Sequence, residues 1–168
     1  MRKHKLKKRI DIGTGSGVKL MKYCSNFDTI GYETEPAYSY LIKKYPNRKW
    51  VKSGEASKNF GEYFDNCDVI MSADVIEHIV EPNEIINFMK KFDTKYFLFS
   101  TPCRNKLVNA FPDGPRTNAN GPPNNIMHVR EWTFEEFKLY LSKHFNIISS
   151  HLGKEQRECQ WHFCIRKD

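Results

Sequence analysis

The feature that most constrains this chain is the run Ile10-Asp11-Ile12-Gly13-Thr14-Gly15-Ser16-Gly17 near its start. A strand-like segment, Lys8 to Ile12, meets glycines at every second position, and a helix-compatible stretch follows from Gly17 to Cys24. Glycine tolerates left-handed backbone and lets the main chain come close to a ligand. Strand, turn and helix in that order open a β-α unit able to cradle a nucleotide-like cofactor, with Gly13, Thr14, Gly15 and Gly17 as the cradle. Spacing separates the cofactors. The dinucleotide fingerprint is G-x-G-x-x-G, whereas Val18 stands at the sixth position here and the glycines follow G-x-G-x-G. Asp11, just ahead of the glycines, would repel a pyrophosphate and suits a ligand carrying positive charge. Its alternative role is to cap the turn's own N–H groups.

Beyond the turn, short apolar runs alternate with helix-period segments, the pattern of β-α units that build a mostly parallel sheet with helices on both faces. Strands are expected at Lys8–Ile12, Phe27–Tyr32, Lys49–Lys52, Cys67–Met71, Tyr96–Ser100, Phe145–Ser150 and Gln160–Arg166. Pro82 opens a helix to Lys91 whose apolar residues Ile85, Phe88, Met89 and Phe92 share one face. Thr133-x-x-Glu136 reads as a capping box for a helix burying Phe134, Phe137 and Leu141. Further helices are expected near Gly17–Cys24, Pro36–Lys44 and Ser57–Phe64. At 168 residues this amounts to one domain. Thr101 to Arg130 holds five of the eight prolines and no clear period, so it reads as a long loop at the ligand edge of the sheet and a candidate lid.

No apolar run approaches the ~18 residues of a membrane span, and the start of the chain lacks the apolar core of a signal peptide. The five cysteines are odd in number and include no C-x-x-C pair, which fits a reducing, cytoplasmic setting better than a disulfide framework or a zinc site. Cys159 and Cys164 fall on opposite faces of one strand and read as structural. The net charge of +7 suits an anionic partner but also many merely soluble proteins. The basic start, Arg2, Lys3, Lys5, Lys7, Lys8 and Arg9, reads first as a solvated, frayed terminus and second as a nucleic-acid contact. After the second strand, Glu33, with Thr34 beside it, places a carboxylate where a ribose can be gripped through both hydroxyls. Glu35, before Pro36, is better read as a helix N-terminal charge.

Taken in order, these segments resemble the class I S-adenosylmethionine-dependent methyltransferase superfamily over almost the whole chain. Asp11 to Gly17 looks like its first motif, and Gly31 to Pro36 looks like its second. Ser53-Gly54-Glu55-Ala56 resembles the third, implying Glu55 near the adenine amino group and Ala56 beside the ring. Cys67 to His78 resembles the fourth strand and its turn, implying Ser72 and Ala73 beside the cofactor, and Phe99-Ser100-Thr101-Pro102 resembles the fifth. The resemblance implies a Rossmann-like, seven-stranded, mostly parallel sheet with its last strand antiparallel, and S-adenosyl-L-methionine as cofactor. Relatives carry a helical segment ahead of the first strand, whereas nine residues precede Ile10, so a more open site or a lid from the long loop is expected.

The reaction so implied is in-line displacement at a sulfonium methyl carbon, for which the enzyme mainly supplies alignment and dehydration. His78, past the fourth strand, and His128, at the end of the long loop, are the candidate bases. Both could instead be hydrogen-bonding anchors. Asp74-x-x-Glu77-His78 with His128 also resembles the small-RNA 3′-terminal 2′-O-methyltransferases, which hold a divalent metal with a Glu-x-x-Glu-His triplet and a later His. Asp74 is one methylene shorter than that first Glu. Similar stretches occur in small-molecule methyltransferases, and a small-molecule acceptor is preferred over RNA, with metal use left open. An inert, partner-activating subunit and a nucleotide-binding oxidoreductase rank lower.

Overall fold

The computed structural model describes residues 6–24, 26–54, 66–109, 113–154 and 158–167. Its elements run β1 (Lys8–Ile12), α1 (Val18–Cys24), β2 (Asp28–Glu33), α2 (Ala37–Lys44), β3 (Lys49–Lys52), β4 (Val69–Ala73), a 3₁₀ turn at Ile76–His78, α3 (Pro82–Lys90), β5 (Tyr96–Pro102), α4 (Arg104–Asn109), α5 (Phe134–Ser142), β6 (Phe145–Leu152) and β7 (Cys159–Arg166). The seven strands lie in the order β3-β2-β1-β4-β5-β7-β6. β1 pairs in parallel with β2 and β4, β2 with β3, and β4 with β5. β7 runs antiparallel to both β5 and β6, so the last strand is the reversed one. The chain winds outward from β1 in both directions, and its switch point lies between β1 and β4. Ligands of such sheets bind beyond the carboxyl ends of the strands at that point.

The central strands are apolar on both faces because helices cover them. Ile10, Ile30, Tyr32, Ile70, Phe97 and Phe99 are fully buried. α3 delivers Ile85, Phe88, Met89 and Phe92 to this core, with Phe88 and Phe92 edge-on to each other and to Tyr32 at centroid distances of 5.2–5.9 Å. α5 opens with the capping box: the Thr133 hydroxyl accepts from the Glu136 N–H at 3.2 Å, and the Glu136 carboxylate accepts from the Thr133 N–H at 2.8 Å. The helix buries Phe137 and Leu141, while Phe134 stays half-buried against the His162 ring.

Two expectations change. Thr101 to Arg130 is not one loop, because β5 continues to Pro102 and Arg104–Asn109 is helical with Leu107 buried. One buried side chain in six residues is too little periodicity to stand out among prolines and asparagines. Its later part is tied down as well, with the Arg116 N–H donating to the Leu107 carbonyl at 2.7 Å and the Arg104 guanidinium to the Gly121 carbonyl at 3.2 Å. Arg9 is not a solvated terminal charge, since it is 3% exposed and its guanidinium lies 3.3 Å over the Phe27 ring. The amides of Lys7 and Lys8 both donate to the Asp68 carboxylate. Arg2, Lys3 and Lys5, and the helix expected at Ser57–Phe64, lie outside the described residues. Cys67, Cys103, Cys159 and Cys164 are free thiols. Among the described residues no helix is long and apolar enough to cross a membrane.

Phe97 on β5 packs 4.5 Å from the Phe145 ring at the start of β6. Phe97→Ala is expected to destabilise the protein by about 3–5 kcal/mol, read from the urea unfolding midpoint. A loss below about 1 kcal/mol would show that this aromatic contact contributes little to the core.

Candidate active site

β1 ends at the switch point, and the turn after it is fastened to β2 by the amides of Gly13 and Thr14, which donate to the Tyr32 carbonyl at 2.9 and 3.2 Å. Gly13 has φ 73°, and a Cβ there would lie 2.3 Å from the Val75 side chain, so the turn after β4 packs onto bare backbone. Gly15 differs. Its φ is 60°, and a Cβ there would have nothing within 4 Å, so it borders open space. Gly17 packs against Leu41 and Tyr45, away from that space. The opening is a cavity of about 290 Å³ whose walls include Gly13, Gly15, Glu33, Thr34, Asp74 and His78. A hollow of about 460 Å³ lies elsewhere, between α5 and β6, and contains no part of the glycine turn.

Glu33 and Asp74 supply carboxylates to the wall of this cavity. Asp11 sits on β1 behind the turn, 5% exposed, with Oδ1 lacking a hydrogen-bond partner. Burial pushes its pKa up to about 7, against the opposing influence of Thr14 and Lys19. Glu33, at the end of β2, accepts from the Gly15 amide at 2.5 Å through Oε2 and from the Thr34 amide at 2.8 Å through Oε1. A carboxylate has about four lone-pair sites, so capacity for a ligand hydroxyl remains. Glu35 turns outward to the Ser39 amide and to Lys52, which hold its pKa low, and takes no part in the cavity. Ser53 and Gly54 line the wall, while Glu55 and Ala56 lie outside the described residues.

Just past the fourth strand the wall is made by Asp74 and Val75, while Ser72 and Ala73 lie within β4, Ser72 fully buried. Asp74 stands at φ 59°, a left-handed conformation that aspartate tolerates better than most residues. Its Oδ1 accepts from the Ser100 hydroxyl at 2.9 Å and its Oδ2 from the Lys19 ammonium at 2.6 Å.

The 3₁₀ turn after β4 brings together groups far apart in sequence. Glu77 is fully buried; Oε2 accepts from the Thr101 hydroxyl at 3.1 Å and Oε1 has no partner. Burial raises its pKa to about 8, reinforced by the charge of Asp74. The Glu77 carbonyl accepts from the amides of Val129 and Arg130, which pins the end of the long segment over this turn. His78 donates Nδ1–H to the Met127 carbonyl at 2.7 Å, which leaves Nε2 as the bare ring nitrogen. His128 has its Nδ1 2.8 Å from Glu131 Oε1, while its Nε2 accepts from the Asn125 amide at 3.0 Å. Glu131 is itself buried and accepts from the Thr117 hydroxyl at 2.6 Å. The two imidazoles meet edge to face at 4.9 Å, and ligand atoms of Glu77, His78 and His128 all lie within 4.8 Å of one another. Two imidazoles and a carboxylate are a donor set for a divalent transition metal. Glu131 and Asn125, which orient His128, and Lys19, which holds Asp74, escaped the sequence reading; only the His-x-x-Glu spacing of His128 and Glu131 carried a signal.

A family model described as a methyltransferase domain matches residues 2–154. The fold is similar to an S-adenosylmethionine-dependent methyltransferase from Clostridium acetobutylicum, with TM-score 0.72 and 12% identity over 99% of this chain and 87% of that one. It is similar to another from Mesorhizobium loti, with TM-score 0.69 and 13% identity over 95% and 90% of the two chains. The small RNA methyltransferase HEN1 shares TM-score 0.65 and 20% identity over 97% of this chain and 23% of its own. At these identities the likeness concerns the fold. No curated protein matches the chain.

Asp11 gives the ligand-free protein a pH dependence of definite sign. Its folded pKa of about 7 stands above the ordinary 3.8, so its stabilising contribution is complete below pH 3.8 and is lost as pH rises through 7. Asp11→Asn should remove Asp11's share of that slope, leaving the share of Glu77, and make the ligand-free protein more stable than wild type at pH 8, by about 2–4 kcal/mol. Thermal melts from pH 4 to 8.5 test this, and a variant less stable than wild type at pH 8 would refute the burial account of Asp11.

Proposed function

The chain belongs to the methyltransferase-domain family, and we propose that it transfers the methyl group of S-adenosylmethionine to an oxygen or nitrogen of a small-molecule acceptor. The observation that carries this reading is His78, which lines the glycine-turn cavity while its ring touches His128. Donor-holding and proton-accepting groups therefore meet at the ends of β1 and β4.

The residues fit the donor. Gly15 leaves open backbone beside the cavity, Glu33 offers a carboxylate for the ribose, and Asp11 keeps an unpartnered oxygen for positive charge. When bound, S-adenosylmethionine supplies a methyl group on a cationic sulfur. The chain's part is to align the acceptor with that methyl and to exclude water. His128, with Nδ1–H given to Glu131, holds Nε2 as the basic nitrogen, and an acceptor hydroxyl displaces the Asn125 amide from it. His78 presents its own Nε2 from the cavity wall. The segment ending at Arg130 roofs the acceptor side, anchored through the Glu77 carbonyl.

Metal-dependent transfer to an RNA ribose is a second reading, favoured by the Glu77, His78 and His128 cluster. The unpartnered Glu77 Oε1 fits a cation, and a divalent ion held there would acidify a hydroxyl bound to it. Asp74, however, is committed to Lys19 and Ser100 and does not join the cluster, which favours the small-molecule acceptor.

Purified protein is expected to bind S-adenosylhomocysteine in a calorimeter. Gly15→Leu should abolish that binding, because its side chain would enter the open space, while binding of NAD in place of S-adenosylhomocysteine would refute the donor assignment. A methyl-transfer screen against pooled metabolites and total RNA, with and without Mn²⁺, tests the acceptor. With a histidine base, His128→Ala lowers turnover about 10²–10⁴-fold with donor affinity nearly intact. With a metal centre, chelation abolishes turnover and His78→Ala is equally damaging. Full activity in both histidine variants would contradict both readings.

A further inference from the structure

We propose that the outer face of α5 and β6 is a contact between two copies of this chain related by a two-fold axis. β6 is the end strand of the sheet, and no strand pairs with its outer side among the described residues. An open edge offers unpaired N–H and C=O groups to another chain, so edges are commonly guarded by charge or proline. The two edges of this sheet differ. β3, at the other end, is Lys49-Trp50-Val51-Lys52, with a lysine at each end. β6 runs from Phe145 to Leu152 without a lysine, an arginine, an acid or a proline. Its bulge, between Ile147 and Ser149, leaves Ile148 exposed where a charge would guard the edge.

Beside that edge lies the hollow of about 460 Å³, walled by Glu135, Leu139 and Ser142 of α5 and by Phe145 and Ile147 of β6. Leu139 is 65% exposed there, although the same helix buries Phe137 and Leu141. Charge along α5 identifies the occupant. Helical backbone continues through Lys143, so Glu135, Leu139 and Lys143 stand four residues apart on one face. All three are exposed, and neither charged side chain makes an ion pair among the described residues. A two-fold axis passing at Leu139 sets α5 against the same helix of the second copy in reverse. Leu139 then meets the partner's Leu139, Glu135 faces the partner's Lys143, and Lys143 faces the partner's Glu135. A contact between identical surfaces must be complementary to itself, and an acid and a base at equal distances on either side of an apolar centre meet that condition. The same axis brings the two β6 edges together without like-charge repulsion. None of the residues lining this hollow borders the glycine-turn cavity, so pairing here uses no part of that cavity.

Sedimentation velocity over a series of protein concentrations tests the proposal. Wild type is expected to pass from monomer to a species of twice its mass as concentration rises, and Leu139→Asp to remain monomeric throughout. Glu135→Lys sets lysine against lysine across the axis, and Lys143→Glu sets acid against acid, so each alone should weaken pairing by about tenfold or more. Mixed together, the two variants should pair as wild type does, because each carries the charges that the other's face opposes. All three substitutions fall at exposed positions and are expected to melt with wild type. A wild type that stays monomeric at every concentration would overturn the proposal. So would a dimer indifferent to Leu139→Asp, or mixed charge variants that fail to pair.

Discussion

The structure depends on how the backbone leaves β1. Two amides, of Gly13 and Thr14, donate to the single carbonyl of Tyr32, and this shared acceptor turns the chain sharply at the point where the sheet changes winding direction. With the turn fastened to β2, Val75 can pack on the naked face of Gly13 and bring the β4 turn alongside. That packing sets Asp74 on the cavity wall and starts the 3₁₀ turn carrying Glu77 and His78. The site is thus a consequence of where three backbone segments can approach, and side-chain chemistry is laid over that frame.

Electrostatics then adds two buried acids to this frame. Asp11 and Glu77 are carboxyls buried beyond the reach of water, each with one oxygen unpartnered, and burial lifts the pKa of both. Such groups destabilise an empty protein near neutral pH. A cation arriving beside them would recover that cost. Lys19 moderates both acids from the rim, where it is held by Asp74.

Much of this was legible in the sequence, for reasons that differ by element. The glycine turn, the capping box of α5 and the apolar stripe of α3 are local patterns written within one or two turns of chain, and the structure reproduces each. The reversed last strand came from the family resemblance, which carries topology that periodicity cannot. α4 was missed because one buried leucine leaves no periodic trace. The Lys19–Asp74 pair and the Asn125–His128–Glu131 arrangement are products of tertiary proximity and depend on the sheet being assembled first.

The most direct measurement is a titration of ¹⁵N-labelled protein with S-adenosylhomocysteine, followed by amide chemical shifts. The expected result is saturable movement of the Gly13, Gly15 and Thr34 amides, whose backbone or side chains line the glycine-turn cavity, with Leu139 and Asn146 at the α5–β6 hollow unmoved. Movement confined to Leu139 and Asn146, or none at all at saturating ligand, would contradict the assignment of the glycine-turn cavity as the methyl-donor site.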